Sequence, residues 1–264
     1  MSEIILPFTL CVLVAVIGYK LKSLTFSGGI ATIFVGLSVA IGFGYGGLML
    51  LGAFFASSSL WSKYKSDFKE KHLSGKIEKG EQRDSVQVIA NGGVPAILGI
   101  AMAIFPSPTM LSAFIASIAA ANADTWASEI GSISKKRPYL ITSFKQVDPG
   151  TSGAVSNLGT IAALFGSIFI CFLSYLYWDL SIYIIIFLVF VGFAGNIMDT
   201  ILGAIVQVGF KCTICNIETE KTIHCKNKTV HHKGFLAINN DLVNFLSILF
   251  SAISAGLISI LLIR

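Results

Sequence analysis

Long apolar stretches separated by short polar segments run along the whole chain. About 20 consecutive apolar residues are enough for an α-helix to cross the hydrocarbon core of a bilayer. The pattern predicts about eight such helices, with approximate bounds 4–20, 26–43, 46–61, 86–105, 109–130, 153–177, 181–210 and 239–263. The first segment has no basic start and no small-residue cleavage site, so it is expected to be retained. We therefore predict one all-α, polytopic transmembrane domain over residues 1–264.

Composition and charge agree with a membrane protein. Hydrophobic residues make up 54% of the chain and charged residues 12%, which excludes an ordinary soluble globular protein. All but one of the 19 Lys and Arg residues lie in the first, third, fifth and seventh loops. Cytoplasmic loops carry the excess of Lys and Arg, so both termini are predicted to be external. The net charge of +5 thus indicates topology in a cell membrane and not a nucleic-acid partner.

The fifth predicted span carries polar residues where a bilayer helix is normally apolar. Asn122, Asp124 and Glu129 lie near its cytoplasmic end, after a run rich in Ala and Ser. An ionised group at membrane depth costs roughly 2.5–3.5 kcal/mol, so such residues usually face a protein interior or a wet cavity. Small residues let helices approach closely. The sequence predicts a central helix whose polar end forms a site at the cytoplasmic face.

Three further spans are expected to bring polar side chains to this site. The seventh span carries Asp199, roughly 15–18 Å from its cytoplasmic end at 1.5 Å per residue. The last span begins with Asp241 and Asn244 on one face, and N-capping explains only one of them. In the fourth span, Asn91 is followed by two glycines and Pro95. This pattern favours a helix broken near the cytoplasmic face, with a simple kink as the alternative.

Two cytoplasmic loops supply candidate phosphate ligands. Loop 62–85 mixes basic and acidic residues, which is typical of a solvated segment, but its end leads straight into the fourth span. In loop 131–152, a Pro-Gly turn and hydroxyl residues precede a helix N-terminus, which binds phosphate readily, although helix capping is the alternative. The candidate residues are Arg83, Lys145, Gly150, Thr151, Ser152, Gly153, Ser156 and Asn157.

The seventh loop, 211–238, contains a cluster of potential metal ligands. Cys212 and Cys215 form a Cys-x-x-Cys pair, and His224 and Cys225 follow. Three thiols and one imidazole suit tetrahedral zinc in a structural site, with His231 or His232 as alternatives for the histidine. Because the loop is predicted to be cytoplasmic, a disulfide is less expected.

The polar side chains of the spans gather in the cytoplasmic half of the predicted bundle. A transporter with alternating access would more naturally place them at the midplane. The one-sided distribution favours a membrane enzyme whose lipid head group meets a cytosolic substrate. Carboxylates beside phosphate-binding residues suggest Mg²⁺, because this ion prefers one or two carboxylates together with phosphate oxygens. Phosphoryl transfer then requires mainly positioning and charge neutralisation.

Four ordered motifs strengthen this interpretation: RDxxQVxANGG at 83–93, ANADTWASEIG at 121–131, PGTxGAVS at 149–156 and NNDxVN at 239–244. With these motifs the chain resembles the integral membrane family, formerly a domain of unknown function, that includes plant and cyanobacterial phytyl-phosphate kinase. The family is also distantly similar to CTP-using phytol and dolichol kinases. The resemblance implies transfer of a nucleotide γ-phosphate to a prenyl monophosphate, which gives the diphosphate.

On this hypothesis the polar residues take distinct roles. Asp124 and Glu129 would hold Mg²⁺ with Asp199 or Asp241. Phosphates or the metal's waters would be oriented by Asn91, Asn122, Asn157 and Asn244. Lys145 and the 151–153 turn would neutralise phosphate charge, with Arg83 as a helper, and the prenyl tail would lie between spans. A monoester acceptor is already anionic and needs no strong base. The alternatives are a CTP-dependent lipid alcohol kinase and a lipid or small-molecule transporter.

Overall fold

The computed structural model describes residues 2–66, 69 and 82–262, and this part of the chain is mostly helical. Its helices are α1 (Ser2–Lys20), α2 (Phe26–Lys63), α3 (Ser85–Ile104), α4 (Pro108–Gly131), α5 (Asn157–Trp178), α6 (Ile182–Ile205) and α7 (Asn240–Leu262). Short strands lie in two of the loops: β1 (Tyr139–Leu140), β2 (Ala154–Val155), β3 (Gly209–Lys211), β4 (Glu218–Thr219), β5 (Ile223–His224), β6 (Asn227–Lys228) and β7 (Val230–Lys233). The predicted all-α class did not include these strands.

Helix α2 covers the second and third predicted spans and is broken between them. Gly44 has φ 57° and ψ −147°, a backbone conformation that glycine adopts readily and other residues do not. The two halves fold back on each other, because a Cβ built on Gly47 would lie 2.6 Å from Val39 Cγ1. In a straight helix these two residues would be about 12 Å apart along the axis. The segment is therefore a helical hairpin.

Five helices of the described chain are long and apolar enough to cross a membrane: α2, α3, α5, α6 and α7. The apolar part of α1, Ile5–Lys20, is shorter. Helix α4 is long enough but carries too many polar residues, and its stretch from Ser112 to Ala123 is buried throughout. A helix that is enclosed by others needs no apolar surface for lipid. The count of eight spans and the external termini stay predictions.

Helix α4 lies at the centre of the bundle and packs against α2, α3, α5, α6 and α7. Small residues make this possible, because they let neighbouring backbones approach closely. A Cβ built on Gly166 of α5 would lie 3.1 Å from Ala123 Cα, and one on Gly195 of α6 would lie 2.6 Å from Ala120 Cβ. Toward its N-terminal end, α4 contributes Phe114 and other large apolar residues to the main core cluster. The predicted central position of this helix matches the packing.

Helix α3 runs unbroken from Ser85 to Ile104, so the predicted break after Asn91 is wrong. Pro95 lies inside this helix without ending it. The glycines serve packing instead: a Cβ on Gly92 would meet Val35 of α2 at 2.8 Å, and one on Gly93 would meet Phe245 of α7 at 3.3 Å. Neighbouring helices on both sides hold α3 in its helical course, which overrides the local weakness of the sequence.

The loops at the end of the bundle where α4 ends are tied to one another. Arg83 N–H donates to the carbonyl of Ser23, and Thr25 N–H donates to the carbonyl of Arg83, both at 3.0 Å. Asp84 then forms a capping box with Gln87 at the start of α3. Strands β1 and β2 pair across the loop between α4 and α5. Between α6 and α7, one sheet has the order β4-β3-β7 and a second pairs β5 with β6.

Close packing between α4 and α5 yields a stability prediction. Replacing Gly166 with Leu inserts a side chain where a Cβ alone already lies 3.1 Å from the backbone of α4. We expect a loss of about 1–3 kcal/mol of stability, as for other overpacked sites. Gly52→Leu is the matched control, because a Cβ on Gly52 meets nothing within 4 Å. Thermal unfolding of the purified variants in detergent measures the difference, and equal melting temperatures would contradict the close helix contact.

Candidate functional site

Two carboxyl groups from different helices meet inside the bundle. Asp124 lies on α4, while Asn196 and Asp199 lie three residues apart on α6 and therefore share one helix face. The Nδ2 amide of Asn196 donates to Asp124 Oδ1 at 3.1 Å. The carboxyl groups of Asp124 and Asp199 lie within hydrogen-bonding reach of each other. We call this arrangement the Asp124–Asp199 site.

Helix α7 completes the site from a third direction. The hydroxyl of Ser247 donates to Asp199 Oδ2 at 3.1 Å. With its amide nitrogen turned toward the neighbouring acceptors, Asn244 donates to the same carboxylate oxygen at 3.0 Å and to the carbonyl of Asn240 at 3.2 Å. Residues 244 and 247 are one helical turn apart, so both point toward α6. One oxygen of Asp199 is thus held by two donors.

The donor set of the Asp124–Asp199 site fits a hard divalent cation. Two facing carboxyl groups repel each other when both are ionised, and a shared proton or a shared cation relieves the repulsion. Mg²⁺ is bound in proteins by one or two carboxylates together with water and phosphate oxygens. Amide and hydroxyl donors fix the carboxylate orientation in the way outer-shell groups of metal sites do. Among the described residues, no further Asp, Glu, His or Cys joins this pair closely enough to form a three-ligand group.

Glu129 belongs to a second polar cluster. Its Oε2 accepts from Lys69 Nζ and its Oε1 from the hydroxyl of Ser62, each at 2.6 Å. On α4 it lies five residues beyond Asp124, which rotates it by about 140° around the helix axis. The structure therefore joins Glu129 to the end of α2 and does not group it with Asp199.

Arg83 stands beside this second cluster. Its Nη1 donates to the hydroxyl of Ser59 at 3.4 Å, and its guanidinium lies 5.9 Å from the ring centre of Phe55. Burial lowers the pKa of Arg83 from its usual value, and the nearby carboxylate of Glu129 partly opposes the shift. An arginine that is held between apolar and acidic neighbours keeps a positive charge at this end of the bundle.

Asn122 ties three helices together. It is fully buried, and its Nδ2 donates to the carbonyl of Gly166 on α5 at 2.8 Å. Its Oδ1 accepts from the hydroxyl of Ser57 on α2 at 3.1 Å, and that hydroxyl also accepts from Trp126 Nε1 at 3.2 Å. These bonds use both ends of the amide, so Asn122 positions helices in this structure.

The other predicted span residues lie in α3 and at the start of α7. Asn91 Nδ2 donates to the carbonyl of Gln87 on its own helix at 3.0 Å. Asp241 is buried in the first turn of α7, where a negative charge favours the helix N-terminus. Asn239 caps the same turn by accepting from Leu242 N–H at 3.0 Å. Asn91 and Asn239 thus bond to backbone groups of their own helices.

The candidate phosphate loop lines a cleft against the sheet between α6 and α7. Gly150, Thr151 and Ser152 form one wall; the opposite wall includes Gly209, Phe210, Glu218, Thr219, Glu220, His232 and Lys233. Lys233 Nζ donates to the carbonyl of Ser152 at 3.1 Å. Burial lowers the pKa of Lys233, and Glu218 and Glu220 oppose this shift. The cleft thus combines one partly buried cation with two acidic groups.

Hydroxyl groups of the loop also make internal bonds. Gln207 Nε2 donates to the hydroxyl of Ser152 at 3.1 Å and to Glu220 Oε1 at 2.7 Å. The hydroxyl of Thr151 donates to the carbonyl of Asp148 at 2.9 Å. Ser156 caps α5 by accepting from Gly159 N–H at 3.1 Å. Helix capping was the alternative to phosphate binding at this position. Lys145 and Asn157 are exposed.

Gly153 has a role that the sequence did not indicate. Its φ is +86°, and a Cβ there would lie 2.4 Å from Ala204 Cβ. The glycine thus lets the loop backbone lie directly on α6, which carries Asp199 five residues earlier. This contact places the candidate phosphate loop about 7.5 Å along the α6 axis from the carboxyl site, at 1.5 Å per residue.

The four predicted zinc ligands lie together. One potential ligand atom from each of Cys212, Cys215, His224 and Cys225 lies within 4.8 Å of the other three. His231 and His232 make other contacts: His231 Nε2 lies 3.0 Å from the carbonyl of Gly234, and His232 Nε2 lies 3.1 Å from Glu218 Oε1. Of the three histidines that the sequence allowed, His224 is therefore the one beside the thiols.

Several residues of these clusters were missed by sequence reasoning. Ser247 was detectable, since it continues the helical stripe that Asn240 and Asn244 begin. Asn196 lies three residues before Asp199 in the sequence, but its bond to Asp124 requires tertiary structure. Lys69 and Lys233 resemble any other loop lysine in the sequence. Only their packing distinguishes them from solvated charges.

A bundle of apolar helices around a polar, carboxylate-containing interior defines an integral membrane protein with an internal site. The chain belongs to the integral membrane protein family DUF92, which matches residues 9–252. The family membership that the four motifs predicted is thereby confirmed.

Curated relatives cover most of the chain. Protein PGR of Arabidopsis thaliana is 32% identical over 94% of this chain and 93% of its own length. An uncharacterised membrane protein of Methanocaldococcus jannaschii is 35% identical over 75% of this chain and 80% of its own. The Arabidopsis thaliana protein VTE6, chloroplastic, is 29% identical over 92% of this chain and 68% of its own. No solved structure matches the chain significantly.

The Lys69–Glu129 pair gives a prediction that is independent of catalysis. Its side chains are 10% and 25% exposed, so Glu129→Gln leaves a mostly buried cation without its partner. Breaking a fully buried pair costs about 3–5 kcal/mol, and we expect about half of that here because the pair is partly solvated. Thermal unfolding measures the change. Arg137→Gln removes an exposed pair at 3.7 Å and should have almost no effect. Equal losses in the two variants would refute the buried pairing.

Proposed function

We propose that this chain is a membrane prenyl-phosphate kinase. It transfers the γ-phosphate of a nucleoside triphosphate to a prenyl monophosphate of the phytyl or geranylgeranyl type and produces the diphosphate. The Asp124–Asp199 site carries the proposal, because it presents two carboxylates inside a membrane bundle. The family resemblance and the similarity to VTE6 over 92% of the chain support it.

Asp124 and Asp199 are the residues that would hold Mg²⁺. Held there, Mg²⁺ would supply positive charge to balance the phosphate charge that phosphoryl transfer involves. Asn196, Asn244 and Ser247 hold the two carboxylates in place through the bonds described above. This arrangement needs only the two carboxylates, so Glu129 and Asp241 are not required as ligands. Fixed donors of this kind reduce the reorganisation needed during reaction.

The nucleotide would be held by the loops at the same end of the bundle. The 150–153 turn, Ser156 and Asn157 lie at the start of α5, where backbone N–H groups favour an anion. Because Gly153 rests on α6, the turn lies within reach of a triphosphate chain whose terminal group is at Asp199. Lys145 adds positive charge from the same loop, and Arg83 adds it from the start of α3. No catalytic base is assigned, since the acceptor phosphate is already anionic.

An apolar groove between α5 and α6 would take the prenyl tail. It is lined by Leu164, Ile168, Phe172, Tyr175, Ile182, Ile185, Ile186, Val189 and Phe190. The groove begins near the depth of Asp124, because Gly166 contacts Ala123 one position before it. From there it runs toward the turn between α5 and α6, and burial of an isoprenoid chain would contribute roughly 25 cal/mol per Å² of apolar surface.

The site is proposed to face the cytoplasm of a cell whose plasma membrane holds the protein. The basic loops support this orientation through the positive-inside rule. In the described chain, the carboxyl site, the 150–153 turn and the Cys/His loop lie toward the end of the bundle that carries these loops. Soluble nucleotide and membrane-bound acceptor would meet there.

Replacement of either carboxylate tests the site. We expect Asp124→Asn and Asp199→Asn each to reduce turnover by about 100-fold or more, because charge stabilisation at the phosphoryl group is lost. Asp179→Asn is the matched control, since Asp179 is exposed in the turn at the opposite end of the bundle. The assay measures transfer from labelled nucleotide to a prenyl monophosphate with a Mg²⁺ titration and a chelator. Unchanged turnover in Asp124→Asn, with the protein inserted and folded, would rule out the proposed site.

A panel of acceptors separates the reaction classes. Prenyl monophosphates of several lengths should become diphosphates, whereas the corresponding alcohols should not react. Phosphorylation of alcohols alone would identify a lipid alcohol kinase and would overturn the monophosphate assignment. Substrate flux across reconstituted vesicles without nucleotide turnover would establish a transporter. Each nucleotide is tested separately, which identifies CTP or another donor.

A further inference from the structure

We propose that Cys212, Cys215, His224 and Cys225 bind one structural Zn²⁺ ion, which holds the segment between α6 and α7 in its folded form. The proposal concerns a site apart from the Asp124–Asp199 site and does not rest on kinase activity. Three thiols and one imidazole are a recurrent donor set of structural zinc sites. The geometry of the surrounding turns carries the assignment.

Two tight turns present the four ligands in pairs. Cys212 and Cys215 lie in the turn between β3 and β4, and Asn216 after them has a φ of 59°. His224 and Cys225 lie at the turn between β5 and β6, where Cys225 and Lys226 have φ values of 50° and 62°. Residues with positive φ close such tight turns, and the turns bring the four side chains together.

Distances within the cluster agree with a common ion. His224 Nδ1 lies 3.4 Å from Cys215 Sγ and 3.3 Å from Cys225 Sγ. With zinc bonds of about 2.3 Å to sulfur and about 2.0 Å to nitrogen, tetrahedral ligands are separated by about 3.5–3.8 Å. The Ile214 N–H donates to Cys212 Sγ at 3.4 Å, which holds this sulfur in place within the turn. A disulfide would use two of these sulfurs and would explain neither the third thiol nor the imidazole.

The segment has little apolar core of its own. Ile214, Ile223 and Val230 are 57%, 61% and 57% exposed. Small units that cannot bury enough apolar surface are commonly stabilised by a metal. The ion would link the β3–β4 turn to the β5–β6 hairpin, two pieces that belong to different sheets.

Through this segment the metal would also affect the cleft beside the phosphate loop. Lys233 on β7 donates to the carbonyl of Ser152, and β7 pairs with β3, which leads directly into Cys212. Glu220, between β4 and β5, shares the Gln207 amide with Ser152. Loss of the ion should therefore loosen the wall that Glu218, Glu220 and Lys233 form, while the membrane helices remain packed.

Metal content of the full chain tests the proposal. Protein purified in detergent without a polyhistidine tag should contain about one zinc per chain by elemental analysis. Cys215→Ser and His224→Ala should each lose most of this zinc. Cys171→Ser and His231→Ala are matched controls that should retain it, because Cys171 is buried in α5 and His231 lies outside the cluster. Equal zinc in all five proteins would overturn the ligand assignment.

Wild-type protein provides a second measurement that no folding defect can obscure. After removal of zinc, added Co²⁺ should produce the thiolate charge-transfer and visible absorption bands of a tetrahedral site. Hydrogen exchange should increase in the 209–233 segment of the zinc-free protein and stay unchanged in α4 and α6. Wild-type protein that holds no zinc and gives no Co²⁺ bands would refute the site, as would an intact mass that shows a disulfide within this loop. Kinase activity is recorded separately, so failure of one proposal does not decide the other.

Discussion

The arrangement of the central helices depends on the contact between Asp124 and Asp199. Two carboxyl groups at membrane depth cannot face lipid, so they require a surrounding shell of protein. Helices α4, α6 and α7 supply that shell, and each carboxylate receives an amide or hydroxyl donor. The small residues of α4 follow from the same need, because they allow the neighbouring helices to close around it. The polarity of α4 and its central position therefore have one cause.

Near its C-terminal end, α4 carries two polar clusters on different faces of the helix. On one side, Asp124 meets Asp199 with neutral donors around them, which leaves negative charge to be balanced by an ion or a proton. About 140° further round the helix, Glu129 is already balanced by Lys69. The Asp124–Asp199 site can therefore bind a cation, whereas the charge of Glu129 is already neutralised by a lysine of the protein. Asn122, bonded to both α2 and α5, holds the helix so that the two faces stay apart.

Outside the membrane helices, contacts between distant loops shape the same end of the molecule. Arg83 joins the turn after α1, and Gly153 rests on α6. Lys233 and Gln207 attach the Cys/His segment to the turn at Ser152. As far as the structure describes them, these segments have no large apolar core, so hydrogen bonds supply much of the order that hydrophobic burial supplies in the bundle. The proposed zinc ion would add to it. On the proposed function, a soluble phosphate donor would meet the protein at these loops.

The sequence alone indicated the apolar helical segments, the central position of α4 and the polar residues from which the candidate site is built, because apolar length and the cost of buried charge are local properties. It also placed three thiols and a histidine in one loop. Only the tertiary structure decided which carboxylates meet: Asp124 pairs with Asp199, while Glu129 pairs with Lys69 from a distant loop. It also showed that Gly92 and Gly93 serve packing within an unbroken helix. Such choices depend on how helices rotate against each other, and this rotation is fixed by contacts between residues far apart in the chain.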